Sequence, residues 1–150
     1  MDQIRSWLYI GKYRDTLQPD YLHSKSIQAM LQLAVKLTQP DITSIYLPVE
    51  DFAPLKFYLL EQGVSFIKEH KELDHPVLVA CWAGINRSST FCTAALKETE
   101  NLSLLDAFKE VKKAHPESMP HELVWESLCK YYGEDVSYLD IMRLQSKWLW

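Results

Sequence analysis

Two residues of this sequence are matched in type and spacing for work on an anion. Cys81 closes the apolar run Val77-Leu78-Val79-Ala80, and Arg87 follows it across Trp82-Ala83-Gly84-Ile85-Asn86. Ser88, Ser89 and Thr90 come next, opening a segment with helical patterning. A loop between a strand and a helix N-terminus turns several backbone N–H groups inward. The helix dipole stands behind them, so such a loop binds anions. Gly84 is expected to supply the positive φ that so tight a loop needs. Arg87, in the first helical turn, can fold its planar fork over the cradle and hold two oxygens of a tetrahedral oxyanion. The same positive surroundings favour the thiolate of Cys81. A thiolate beneath a bound phosphate monoester is an in-line nucleophile, giving a phosphocysteine that is hydrolysed in a second step. Ser88 is placed to donate to the sulfur as it leaves.

The segment Cys81-Trp82-Ala83-Gly84-Ile85-Asn86-Arg87-Ser88 resembles the Cys-x5-Arg-Ser signature of the cysteine-dependent protein phosphatases. Its Ala83-Gly84 pair most resembles the small atypical dual-specificity subgroup. "WLYIGKYRD" near the start and "AHPESMPHELVWESLCKYY" near the end sit where that family has comparable segments, so the likeness runs over residues 5–133. The resemblance implies a protein-tyrosine-phosphatase-like fold with residues 82–87 as the phosphate-binding loop. It also implies a general acid, taken in that family from an aspartate on a loop that follows a strand and precedes the long helix. Here the loop reads "LPVEDFAP" and offers Glu50 and Asp51, of which the resemblance and the loop tip favour Asp51. The family usually places histidine directly before the nucleophile, where this chain has Ala80. One stabiliser of the thiolate is therefore missing.

The loop interior carries no lysine, arginine or histidine. Multiply phosphorylated substrates would gain from extra cations there, so a single phosphate on a protein or peptide is expected: phosphotyrosine, with or without phosphoserine and phosphothreonine. A phosphatase of a non-protein monoester and a weakly active phosphate-binding module stay open as alternatives. Cys81, Cys92 and Cys129 are widely spaced and the five histidines are scattered, so no metal, cofactor or disulfide framework is expected. Cys92 and Cys129 read as core residues, and His115 and His121 as surface residues flanking a turn. The net charge of −4 argues against nucleic acid or an anionic membrane as partner. No apolar run approaches the ~20 residues of a membrane span, and the N-terminus lacks a secretory pattern. A cytoplasmic monomer or weak homodimer is expected. The tryptophans of "KWLW" would dock on the domain or form the dimer contact.

The composition, 47% hydrophobic and 24% charged, is that of a globular chain, and 150 residues suit one domain. Strands are expected at "SWLYIG", "IQAMLQLA", "ITSIYLPV" and "PVLVAC". A short helix follows Pro19. A long one opens at Pro54, with Phe57, Leu60, Val64 and Ile67 on its inner face. After the loop the chain reads as helical: "NRSSTFCTAALKE", then "SLLDAFKEVKKA" capped by Ser103, then "MPHELVWESLCKYYG". Residues 135–150 form a helical C-terminal extension. The fold class is α/β: one domain, a mostly parallel central sheet flanked by helices, and a helical C-terminal half.

Overall fold

A computed structural model of the chain describes residues 1–149, with side chains described as far as residue 145. The elements in chain order are β1 (Asp2–Arg5), β2 (Leu8–Lys12), α1 (Tyr13–Thr16), α2 (Pro19–Ser24), β3 (Ala29–Gln32), β4 (Thr43–Tyr46), α3 (Phe57–Glu72), β5 (Val77–Cys81), α4 (Arg87–Glu100), α5 (Leu104–Ala114), α6 (Glu122–Tyr132) and α7 (Tyr138–Leu149). The strands form one sheet in the order β1-β2-β5-β3-β4. Only the β1–β2 pair is antiparallel; β2–β5, β5–β3 and β3–β4 are parallel. This is the single α/β domain that the alternating pattern implied.

All five residues of β5 are buried, because β5 lies in the middle of the sheet with helices on both faces. That is why it reads as an unbroken apolar run. Val77, Val79 and Cys81 face the larger core, shared with α3, α4, α5 and α6. Leu78 and Ala80 face a smaller one with Tyr9, Leu22, Ile27, Met30 and Ile42. The alternation delivers Cys81, at the carboxyl end of the central strand, to the face on which α4 starts. In open α/β sheets such an edge is where ligands sit.

Four details differ from the sequence reading. An additional edge strand, β1, precedes β2; its residues are polar except for Ile4, so it carries no apolar pattern. Ser6 and Trp7 turn between the two strands, and Gly11 lies inside β2, not at its end. The long helix starts at Phe57, after an extended Lys56, and not at Pro54; Phe57 points outward while Leu60, Val64 and Ile67 are buried. The one-turn α1 was also not anticipated. The tryptophans of "KWLW", Trp148 and Trp150, lie outside the residues whose side chains are described. Among the described residues, no helix is long and apolar enough to cross a membrane.

Two packing features hold the helical half in place. Gly63 on α3 lets that helix close on α4: a Cβ there would lie 2.3 Å from Phe91 Cε1. Lys112 on α5 is fully buried and donates to Ser118 O at 2.6 Å and to Gln145, which pins the segment between α5 and α6. Burial lowers its ammonium from 10.5 to about 8, against a smaller opposing pull from Glu117.

These features generate two predictions. Gly63→Ala should be destabilising, because overpacking a core costs roughly 1–3 kcal/mol against a helix-propensity gain of about 1 kcal/mol; urea unfolding measures the difference. For Lys112, the unfolded chain binds a proton that the native state does not hold between pH 8 and 10.5. Its burial penalty is therefore full below pH 8 and is relieved as pH rises towards 10.5. Wild type should gain stability relative to Lys112→Met across that window, measured as the difference between paired denaturant titrations.

Candidate active site

The loop from Trp82 to Asn86 joins β5 to α4 and is shaped from its outer side. Trp82 O accepts from Tyr13 N at 3.3 Å, and Ile85 O accepts from Met119 N at 2.9 Å and Ser89 Oγ at 2.7 Å. Gly84 O lies 2.7 Å from His115 Nε2. In a trans peptide the C=O and the N–H point in opposite directions, and there are no cis bonds among the described residues. Fixing these three carbonyls outward therefore turns the N–H groups of Ala83, Ile85 and Asn86 to the inner side. A cavity of about 330 Å³ opens there, lined by Cys81, Ala83, Ile85, Asn86 and Arg87 from the loop.

Gly84 has φ +72°, and a Cβ on it would meet Gly11 O at 2.9 Å, so both conformation and space demand glycine. The hydroxyl run after Arg87 also has a local reason. Ser89 and Thr90 are buried at the start of α4, and their hydroxyls donate to the carbonyls of Ile85 and Asn86, which also accept from Met119 N and Thr90 N.

Cys81 forms the floor. It is 3% exposed, and its Sγ accepts from Gly84 N at 3.2 Å and lies 3.2 Å from Ser88 Oγ. One backbone N–H and one hydroxyl thus face the sulfur. Arg87 reaches across the site, with Nη1 donating to Val49 O at 3.0 Å and Leu33 O at 3.3 Å, beyond the ends of β4 and β3. Its Nε is buried without a hydrogen bond and lies 3.5 Å from Asp51 Oδ1. A charged N–H so placed beside inward amides is a ready donor to an oxyanion.

Asp51 is brought to the site by Asn86. The Asn86 Nδ2 group donates to Asp51 Oδ1 at 2.6 Å and to Asp51 O at 3.1 Å. The Asn86 Oδ1 accepts from His121 N at 2.7 Å. One buried amide therefore ties the loop after β5, the loop after β4 and the start of α6. Among the described residues, the side-chain contacts of Asp51 fall on Oδ1. Glu50, the neighbouring carboxylate, is exposed and does not line the cavity.

The rest of the wall is apolar: Phe52, Met119, Pro120 and Tyr138, with His121. Phe52 stands edge-on to His121 at 5.3 Å. Tyr138 donates to Pro120 O at 2.8 Å, and burial, with Glu122 nearby, raises its phenol, which stays neutral. Cys92 is fully buried in α4, where burial raises its thiol well above the usual range, so it is a core residue. Cys129 is only partly buried.

The sequence-derived residues are placed as follows. Cys81, Ala83, Ile85, Asn86, Arg87 and Asp51 line one cavity, Ser88 lies behind the sulfur, and Gly84 lies beneath the loop. Trp82 departs from the set: it is 61% exposed and stacks on Tyr13 with centroids 5.1 Å apart, outside the cavity lining. Of His115 and His121, expected at the surface with a place near the site open to one of them, both lie against the loop region and His121 is half-buried. His115 is buried behind the loop and His121 lines the cavity, because the segment between α5 and α6 folds back over the loop. Neither has a local signal, since both act across the fold. The Asn86–Asp51 pairing was missed for the same reason.

Comparison with known proteins agrees with this geometry. The dual specificity phosphatase catalytic-domain model matches residues 8–134. Human dual specificity protein phosphatase 16 is 31% identical over 119 residues, which are 76% of this chain and 18% of that protein. The fowlpox virus (strain NVSL) H1 homolog is 33% identical over 104 residues, 68% of this chain and 63% of that protein. The chain thus spans less than two thirds of either relative. The crystal structure of human DUSP28 superposes with a TM-score of 0.83 at 25% identity, covering 89% of this chain and 96% of that one. A cavity floored by a cysteine, a loop with its amides turned inward and a family match across the same residues lead to one assignment: the chain belongs to the dual specificity phosphatase catalytic-domain family.

Proposed function

We propose that this domain hydrolyses phosphate monoesters on proteins, phosphotyrosine foremost, through a phosphocysteine intermediate. The observation that carries the reading is the placement of Cys81 Sγ under the loop. Gly84 N and Ser88 Oγ each lie 3.2 Å from it, in the same cavity as Arg87 and Asp51.

In the first step the Cys81 thiolate attacks phosphorus in line with the leaving oxygen. The S–P bond forms as the P–O bond to the substrate breaks, and Asp51 delivers a proton from Oδ2 to the departing oxygen. The loop amides and Arg87 hold the equatorial oxygens as charge shifts among them. In the second step Asp51, now a carboxylate, takes a proton from water as that water attacks phosphorus. The S–P bond breaks, Ser88 donates to the leaving sulfur, and inorganic phosphate is released. Asn86 keeps one carboxylate oxygen engaged throughout, so the other stays aimed at the reacting atoms.

The substrate class follows from the walls. Phe52, Ile85, Met119, Pro120 and Tyr138 offer apolar surface to an aryl ring, and among the described residues no lysine or second arginine lines the cavity to attract a further phosphate. A mouse protein of TM-score 0.82 and 25% identity was solved with zinc tungstate, and an oxyanion of that shape suits this loop.

Kinetics on aryl phosphates with chelator present test the reading. Cys81→Ser should abolish turnover; activity surviving it would overturn the mechanism, and oxyanion binding without wild-type turnover would make the domain a binding module. Asp51→Asn should lose about 10²–10⁴-fold on phenyl phosphate, whose oxygen needs a proton to leave. It should lose much less on a substrate with a strongly acidic leaving group. Arg87→Lys, which keeps the charge but not the fork, should weaken orthovanadate inhibition by roughly 10–100-fold, as expected for loss of a charge-assisted bidentate contact.

A further inference from the structure

Of the three loop carbonyls held from outside, two are held by backbone N–H groups. The third, Gly84 O, has a side chain instead: His115 Nε2 at 2.7 Å. The ring is 4% exposed, and its other nitrogen, Nδ1, lies 2.5 Å from Asp2 Oδ2 on β1. Glu117 Oε1 is 3.3 Å from Nε2. A histidine buried behind a catalytic loop and braced at both ends is unexplained by packing alone.

We infer that His115, braced by Asp2, is a positioning residue of the phosphate cradle that fixes the Gly84–Ile85 peptide with its N–H turned to the phosphoryl group. The inference rests on the phosphatase reading and deepens it. Gly84 is the one loop residue with positive φ, and glycine resists rotation of its peptide least. If that peptide turned over, Gly84 O would face the cavity and Ile85 N–H would leave it, placing a carbonyl dipole against an anion. The bond to His115 opposes that rotation. Both ring nitrogens face acceptors, so the two contacts are hydrogen bonds together only in the doubly protonated ring. Asp2, in the same way as a carboxylate behind a catalytic histidine, sets the ring's orientation.

The same trio, Asp2, His115 and Glu117, brings its ligand atoms within 4.8 Å of one another. The two ring nitrogens point in opposite directions, however, and Nε2 is already committed to Gly84 O, which favours the positioning role over a metal.

The test compares wild type, His115→Ala, His115→Gln, His115→Arg and Asp2→Asn for kcat/KM on an aryl phosphate, orthovanadate affinity and Tm. His115→Ala should lose roughly 10²–10³-fold in kcat/KM, the loss typical of one oxyanion donor, with a parallel fall in orthovanadate affinity. His115→Arg can donate to both Asp2 and Gly84 and should recover most of it. His115→Gln keeps one donor and should fall between, as should Asp2→Asn. Lower Tm with unchanged kcat/KM and orthovanadate affinity would overturn the proposal, and so would a wild-type rate lost on chelation. If His115→Ala does not fold, the His115→Gln and His115→Arg pair decides it. Failure of wild type to turn over would count against the phosphatase reading, while the orthovanadate series would still read the role of His115.

Discussion

The site depends on the planarity of the peptide bond. A phosphate cradle needs several N–H groups converging on one point, and backbone cannot converge there unless the attached carbonyls are held on the far side. In this domain the carbonyls of Trp82, Gly84 and Ile85 are gripped by Tyr13, His115 and Met119, three residues on two separate segments. The loop is thus held from its outer side by groups of other segments. The fold exists, in functional terms, to bring α1 and the α5–α6 segment against the back of a five-residue loop. Each grip is a single hydrogen bond of modest net strength. Its value lies in removing alternative orientations before the anion arrives, so that no reorganisation is needed during reaction.

The front of the site follows a different rule. There, charged groups from distant loops must be held close to one another without neutralising each other. Arg87 spends Nη1 on the carbonyls of Leu33 and Val49 and leaves Nε beside Asp51. Among the described residues, Asp51 spends Oδ1 on Asn86 and leaves Oδ2. Each group has an anchoring atom and a working atom. Asn86 makes this arrangement feasible, because a neutral amide donates to Asp51 and accepts from His121 at once, without changing the net charge of the pocket.

The parallel strands, the longer helices and the loop that joins β5 to α4 were legible because they have local causes. An apolar run buried on both faces, a glycine at a tight loop and an arginine at the helix start each carry their own physical reason in adjacent residues. The site's long-range half was not legible. His115 and His121 stand in a segment whose composition reads as a surface turn, and nothing near them indicates that it folds over the loop. The Trp82 ring packs on Tyr13, outside the cavity lining. β1 escaped notice because an edge strand with one buried residue has no apolar pattern to detect.

Ala80 shows how the two halves interact. Read in sequence, it stands where the family's histidine would order the loop, so its small side chain leaves the thiolate with one support fewer. In the fold, strand alternation sends its Cβ to the opposite face of the sheet from Cys81, into a small apolar core with Tyr9, Leu22, Ile27, Met30 and Ile42. Beside it on β3 stands Gln32, buried and with its amide donating to Leu37 O at 2.7 Å. The ordering of the loop from behind falls instead to an imidazole that arrives from the α5–α6 segment, 31 positions after the glycine it holds. Whether a residue beside a nucleophile supports it is decided by which face of the sheet its side chain takes.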